Sequence, residues 1–170
     1  MDFLAQLEKA HSKENAQYIA QHISDDANLF AELMSLFFHK DYSISQRAAH
    51  AVSHCVDVFP ELITPYIGKM VNNLNNNPKV AIKRNTVRVL QKQIIPEEHQ
   101  GLLVEKCFEY LLSSKETIAV KAFSMTVLSN MAKIYPELKN ELFIVVEDVI
   151  KNGSAGLISR GKKVLAELKK

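Results

Sequence analysis

Glycine, proline and cysteine are scarce in this chain, which contains five, five and two of them among 170 residues. No glycine precedes Gly68, and the prolines fall between apolar periodic segments rather than among alternating β-branched residues. The glycines and prolines that mark the frequent turns of an all-β protein are therefore missing. This pattern predicts an all-α fold.

The two cysteines, Cys55 and Cys107, form no CxxC pair and lie inside helical patterns, which excludes a disulfide framework and is typical of small buried residues in a reducing compartment. No apolar run approaches the ~20 residues needed to cross a bilayer, and Asp2 and Glu8 lie where a secretory signal would be basic. We therefore expect a cytoplasmic protein that does not enter a membrane, with a single domain over residues 1–170.

A strong excess of charge of one sign is also missing, because the formal net charge is only +2. Residues 1–70 hold 5 bases and 9 acids, whereas residues 71–170 hold 16 bases and 10 acids. This asymmetry suits an acidic partner, but it falls short of the basic excess of a dedicated nucleic-acid-binding domain.

Two sequence patterns recur at intervals of 36 to 40 residues. An apolar residue followed by Pro-Glu begins at Phe59, Ile95 and Tyr135. An aliphatic residue with a base three positions later forms the pairs Ile44/Arg47, Val80/Lys83, Ile118/Lys121 and Leu157/Arg160. This period predicts repeats of two helices each, which must stack on their neighbours to bury their apolar faces.

Apolar periodicity predicts ten helices in five pairs. They cover residues 2–10 and 12–23, 25–38 and 43–58, 60–74 and 78–94, 97–112 and 116–134, and 136–151 and 155–169. Pro60, Pro96 and Pro136 suit the first helical position. Cap-type residues precede other helices, namely Ser12, Ser24, Ser43, Asn77, Ser114 and Ser154.

The unit 59–94 combines a Pro-Glu helix start, a second proline at Pro65, an asparagine-rich turn over 75–77 and the pair Ile82-Lys83. In these features it resembles a HEAT repeat, and armadillo-type repeats are the close alternative. The resemblance implies an α-α superhelix, or solenoid, of about five HEAT-like helical hairpins. It also implies that the second helix of each pair lines the concave face.

Other units match this pattern less fully. Those around Val120-Lys121 and Ser159-Arg160 look similar but lack the inner proline, and the first unit has no base near Asn15. We expect the repeated bases to play a structural part, with packed stems and with head groups turned to the carbonyls or asparagine side chains of a neighbouring turn.

The sharpest functional signal is a basic stripe on helix 78–94, where Arg84, Arg88 and Lys92 lie at i, i+4 and i+8. The apolar residues of the helix, Ile94 included, fall on its other side. No acid occurs between Glu61 and Glu97, so we expect the stripe to be exposed and not neutralised. Ordinary solvated bases would give the same pattern.

His50 and His54 lie one turn apart on the preceding second helix, together with Gln46. Two imidazoles at this spacing suit a zinc ion, with Asp57 as a third ligand, but a zinc site needs more ligands than this segment supplies. Solvated histidines beside a basic stripe are the preferred interpretation.

We therefore expect a monomeric, non-catalytic scaffold that binds an acidic protein or peptide partner on the concave face, without cofactor or metal. The expected binding residues are Gln46, His50, His54, Arg84, Arg88 and Lys92. The alternative is a nucleic-acid-binding module that also uses Lys162 and Lys163. It would be related to the bacterial HEAT-like DNA-alkylation-repair enzymes, but it lacks the tryptophans on which they depend, because the chain has none.

Overall fold

The computed structural model describes all of residues 1–170 and contains ten α-helices and no strand. The helices are α1 (Phe3–Lys9), α2 (Lys13–Ile23), α3 (Ala27–Phe37), α4 (Tyr42–Val58), α5 (Ile67–Asn73), α6 (Val80–Leu90), α7 (Glu97–Leu112), α8 (Ile118–Ile134), α9 (Leu138–Lys151) and α10 (Ala155–Leu168). Short 3₁₀ segments flank α5 over Pro60–Tyr66 and Leu74–Asn76. The predicted all-α fold and its five helix pairs are confirmed.

The helices form two layers. In the second-helix layer (α2, α4, α6, α8 and α10), each helix packs against the next one along the chain. The first-helix layer (α1, α3, α5, α7 and α9) covers one side of it, with the closest pairing between α7 and α8. This arrangement is the helical solenoid expected from the repeat period.

One cluster of 40 buried hydrophobic residues runs through the molecule and takes members from every helix. Leu90 is 1% exposed, which confirms the predicted apolar face of α6. Cys55 and Cys107 are also buried, and burial raises the pKa of each thiol to about 12. Both cysteines are therefore unreactive core residues, as expected.

The predicted continuous helix over 60–74 is wrong. The chain instead forms a 3₁₀ helix over Pro60–Tyr66 and becomes α-helical only from Ile67 to Asn73. Pro65 lies inside the 3₁₀ segment and explains the change, because it has no N–H to donate and its ring clashes with the carbonyl four residues earlier in an α-helix.

Helix α6 is shorter than the predicted 78–94, since it begins at Val80 and ends at Leu90. Ile94, which we expected on the buried side, is 93% exposed. Pro96 disfavours helical geometry at Ile95, so the chain leaves the helix before the wheel brings position 94 to the core.

The predicted helix caps are correct at two of the six positions. The hydroxyls of Ser12 and Ser154 accept hydrogen bonds from the first turns of α2 and α10. Asp26, Asp41 and Thr117 cap α3, α4 and α8 in place of the nearby serines. Ser24 is instead the C-cap of α2, Asn77 adopts a left-handed conformation, and Pro96 and Pro136 lie before the first helical residue.

Candidate functional site

The six predicted binding residues lie on two adjacent members of the second-helix layer. Gln46, His50 and His54 occupy successive turns of α4 and are half-buried. Arg84 and Arg88 lie on α6, and Lys92 lies just beyond its end. The contact between α4 and α6 brings these two rows side by side.

Asp57 pairs with two of the three bases and offsets one of their charges, which corrects the prediction of a stripe that is not neutralised. Its carboxylate accepts from Arg88 Nη2 at 2.5 Å and from Lys92 Nζ at 3.0 Å. Arg88 also donates to the Ser53 carbonyl at 3.2 Å. Burial raises the pKa of Asp57, but the hydrogen bonds from Arg88 and Lys92 outweigh it and hold that pKa below its ordinary value. The acid comes from the preceding repeat, outside the segment 61–97 that the prediction considered.

Arg84 keeps a free charge. Its side chain is exposed and forms no ion pair. With Gln46 it lines a pocket of about 330 Å³, the Arg84 pocket, which Tyr42, Val80 and Thr117 also line. The first turns of α4, α6 and α8 therefore meet around a single guanidinium.

Apolar surface borders Arg84 in this pocket. Val80 lines the pocket and is 44% exposed. Ile118, the aliphatic residue of the next unit, is 53% exposed as well, but it does not line the pocket. Both are aliphatic members of the repeated aliphatic-base pattern, so these two units turn the aliphatic residue outward. A ligand here would meet one cation beside apolar surface.

The two histidines form a chain of rings with His11. The ring centroids of His50 and His54 are 5.0 Å apart, and those of His11 and His50 are 6.3 Å apart. Burial is the largest cause that lowers the pKa of both His50 and His54. The next cause is the neighbouring imidazoles of His54 and His11 for His50, and the positive charge of Arg88 for His54. Both imidazoles are therefore neutral at pH 7.

No further zinc ligand joins His50 and His54 in the structure. Asp57, which we considered as a third ligand, is committed to Arg88 and Lys92. The structure contains no group of three or more His, Cys, Asp or Glu side chains that could hold a metal ion.

Three of the four repeated bases hold neighbouring units together, and the first of them is Arg47. It donates to the carbonyls of Leu7 and Glu8 at 2.8 and 3.2 Å, at the end of α1. Asn15, at the position where the first unit lacks a base, donates to two carbonyls at the same end at 2.9 Å. The structural role predicted for these positions is confirmed here.

Two of the later bases correct the predicted partners, because their head groups bind a carboxylate and a hydroxyl of the adjacent unit rather than carbonyls or asparagine side chains. Lys83 is only 7% exposed and forms an ion pair with Glu116. Arg160 donates to the hydroxyl of Thr126. These positions are occupied by inter-repeat contacts and are not free for a ligand.

No continuous basic track joins α6 to the lysines of α10. On the intervening α8, Ser129 is buried and donates to Glu167 at 2.8 Å, and Glu167 also lies 3.9 Å from Lys133. Lys162 and Lys163 are exposed on α10, beyond this acid. A surface that binds successive phosphates of a nucleic acid would need lysines or arginines repeated across these units.

One feature escaped the sequence analysis, a cavity of about 410 Å³ between the C-terminal ends of α2 and α4. We call it the α2–α4 cavity, and its lining includes Gln17, Ala20, Gln21, Ser24, His54, Val58 and Phe59. The only signal in the sequence was the i, i+4 spacing of two glutamines, which is ordinary on an exposed helix face.

None of the helices is both long and apolar enough to cross a membrane. Searches of curated proteins and of solved structures give no match to this chain. A family model described as a HEAT repeat domain matches residues 3–168. The match spans all ten helices and agrees with their stacking in two layers, so the chain belongs to the HEAT repeat domain family.

Proposed function

We propose that this HEAT-repeat chain is a non-catalytic scaffold that binds an acidic protein or peptide partner on the concave face formed by the second-helix layer. The observation that carries the proposal is the free guanidinium of Arg84 in a pocket shared with Gln46. An unpaired base at the meeting point of three helices suits a carboxylate, which a guanidinium binds through two parallel hydrogen bonds.

The partner's chemistry follows from the surroundings of Arg84. The exposed Val80, which lines the same pocket, favours an aliphatic side chain beside the acidic one. Arg88 and Lys92 contribute less attraction, because Asp57 already occupies their head groups. Gln46, His50 and His54 would supply neutral hydrogen-bonding groups along the same face.

A synthetic peptide with glutamate next to leucine, and its glutamine counterpart, test this proposal. We expect the glutamate peptide to bind more tightly and to lose about tenfold in affinity on Arg84→Gln, which removes a charge-assisted pair. Lys162→Gln, an exposed base on α10, is the matched control and should leave binding unchanged. Equal loss in both variants would reject Arg84 as the recognition residue.

Duplex DNA tests the alternative in the same assay. If the chain binds DNA phosphates, the logarithm of its affinity should fall linearly with the logarithm of the salt concentration. That affinity should also depend on Lys162 and Lys163. Such a result, together with no preference for the glutamate peptide, would replace the protein-partner proposal.

A further inference from the structure

The α2–α4 cavity differs in chemistry from the Arg84 pocket. No lysine, arginine, aspartate or glutamate lines it. Two bases outside the lining, Arg88 and Lys13, act on His54 in the cavity wall, and Arg88 is engaged by Asp57. His54 also faces the cavity, and its imidazole is neutral at pH 7 because burial and Arg88 lower its pKa. The cavity therefore suits an uncharged ligand.

Two amide side chains stand along one wall of this cavity. Gln17 and Gln21 lie one turn apart on α2, both are exposed, and neither amide is used in a hydrogen bond within the protein. Four residues of an α-helix rise about 6 Å, and alternate residues of an extended chain are about 6.6 Å apart. Each amide offers a donor and an acceptor, which match the N–H and C=O of one peptide residue.

The opposite wall is apolar. Val58 is 67% exposed at the end of α4, and Phe59 lies half-buried next to it. Ala20 adds a small side chain between the two glutamines. An aliphatic or aromatic side chain of a ligand would cover this surface and lose its contact with water.

Backbone strain at the cavity is a further observation. Ser24 ends α2 with φ 50° and ψ −122°, a conformation that favours glycine. Strained non-glycine residues are found preferentially at ligand-binding positions, where the side chain is needed. The Ser24 residue lines the cavity and adds a hydroxyl to its neutral hydrogen-bonding groups.

We propose that the α2–α4 cavity binds a neutral, extended peptide segment, with Gln17 and Gln21 paired to its main chain and one apolar side chain against Val58 and Phe59. This site rests on the partner-binding role proposed above and deepens it, since the same partner would place its acidic residue at Arg84 on the neighbouring helix. Continuity between the two sites comes from α4, which contributes to both.

Selection of short random peptides on phage against the full chain, followed by titration of the enriched peptides, tests this site. We expect enriched peptides with an uncharged segment whose affinity falls about tenfold or more in the Gln17→Ala/Gln21→Ala variant, because several neutral hydrogen bonds are lost. Tyr18→Ala, on the same helix but outside the cavity, should leave affinity unchanged. Methylation of the peptide amide nitrogens should also abolish binding, and it leaves the protein untouched.

The variants separate this site from the acidic one. Peptides that depend on Gln17 and Gln21 but bind normally to Arg84→Gln would support the cavity site and leave the acid site without support. Peptides that depend on Arg84 alone would overturn the cavity site and leave the proposed function standing. Three other results would each overturn the inference. They are that no peptide is enriched, that the cavity binds only small amide compounds, or that the chain forms a dimer which dissociates in the Gln17→Ala/Gln21→Ala variant.

Discussion

At the residue scale, Asp57 distinguishes two arginines of α6, because it pairs with Arg88 and not with Arg84. Arg88 donates to Asp57 and to the Ser53 carbonyl, whereas Arg84 forms no ion pair. The Arg88 and Asp57 side chains are 25% and 32% exposed, so water weakens their attraction. The two arginines therefore differ in role although they are one turn apart.

We expect Arg88→Gln to lower the free energy of unfolding by about 1 kcal/mol, because a partly exposed pair and a backbone hydrogen bond are lost. Arg84→Gln is the matched control and should change that free energy by less than about 0.5 kcal/mol. Urea denaturation measures both. Equal losses of free energy in the two variants would show that the pair between Arg88 and Asp57 does not stabilise the fold.

Lys83 and Glu116 form the most buried ion pair, with side chains 9% and 12% exposed. We expect Glu116→Ala to cost about 3 kcal/mol, because it leaves the Lys83 ammonium buried without its partner. The double variant Lys83→Met/Glu116→Leu should recover most of that loss. Thermal and urea unfolding measure these differences.

A suitable control is Glu109→Ala, which removes the exposed partner of Lys106 and should cost less than about 1 kcal/mol. If Glu116→Ala were no more harmful than Glu109→Ala, the pair between Lys83 and Glu116 would not be buried in solution.

His50 and His54 make stability depend on pH. Their folded pKa values lie below the ordinary value of 6.5, chiefly because of burial, with His11 and Arg88 among the further causes. Between the folded and unfolded pKa values the unfolded chain binds more protons, so the free energy of unfolding should fall as pH drops below 6.5. Above that pH the histidine contribution is fully present.

Urea denaturation at a series of pH values measures this dependence. In the His50→Asn/His54→Asn variant, the free energy of unfolding should fall less at low pH than in the unaltered chain. The control variant His22→Asn, at an exposed position on α2, should show the same fall as the unaltered chain. A fall of the same size in the double variant would assign the dependence to other groups.

At the element scale, the sequence predicted all ten helices, and only α5 and α6 differ from their predicted ends by more than two residues. The long periodic segments α4, α7 and α8 match their predictions to within two residues, because their apolar stripes are set by 3.6-residue geometry. The ends are decided by local competition among several nearby polar residues. Asp41 caps α4 instead of Ser43, for example.

Helices α9 and α10 pack closely at Gly161. A Cβ placed there would overlap the Ile150 side chain and lie 3.2 Å from Val146 Cγ1. We expect Gly161→Ala to destabilise by about 1–3 kcal/mol through overpacking, despite the better helix propensity of alanine. Thermal unfolding measures the change.

Gly156 offers a matched control in the same helix, since a Cβ there would meet nothing within 4 Å. Gly156→Ala should stabilise by up to about 1 kcal/mol. Stabilisation of both variants alike would mean that α9 and α10 do not pack this closely.

At the scale of the whole molecule, the repeat period was enough to predict the stacking of the helices and the adjacency of α4 and α6. It could not predict that Asp57 pairs with Arg88, because that contact spans 31 residues between two units. Nor could it predict the α2–α4 cavity, whose shape depends on where two helices end. Both features depend on side-chain packing between repeats rather than on periodicity within one.

The extent of the core leads us to propose that residues 1–170 form a single domain. The cluster of 40 buried residues takes members from all ten helices, and the bases Arg47, Lys83 and Arg160 tie successive units together. Each unit thus depends on its neighbours for burial.

The central claim is that partners bind the second-helix layer around Arg84. Amide chemical-shift mapping during titration with the glutamate-leucine peptide tests it most directly. We expect the perturbations to concentrate in the first turns of α4, α6 and α8, around Gln46, Arg84 and Thr117, and to need about tenfold more peptide in Arg84→Gln. Perturbations confined to the first-helix layer, or centred on Lys162 and Lys163 of α10, would contradict the claim.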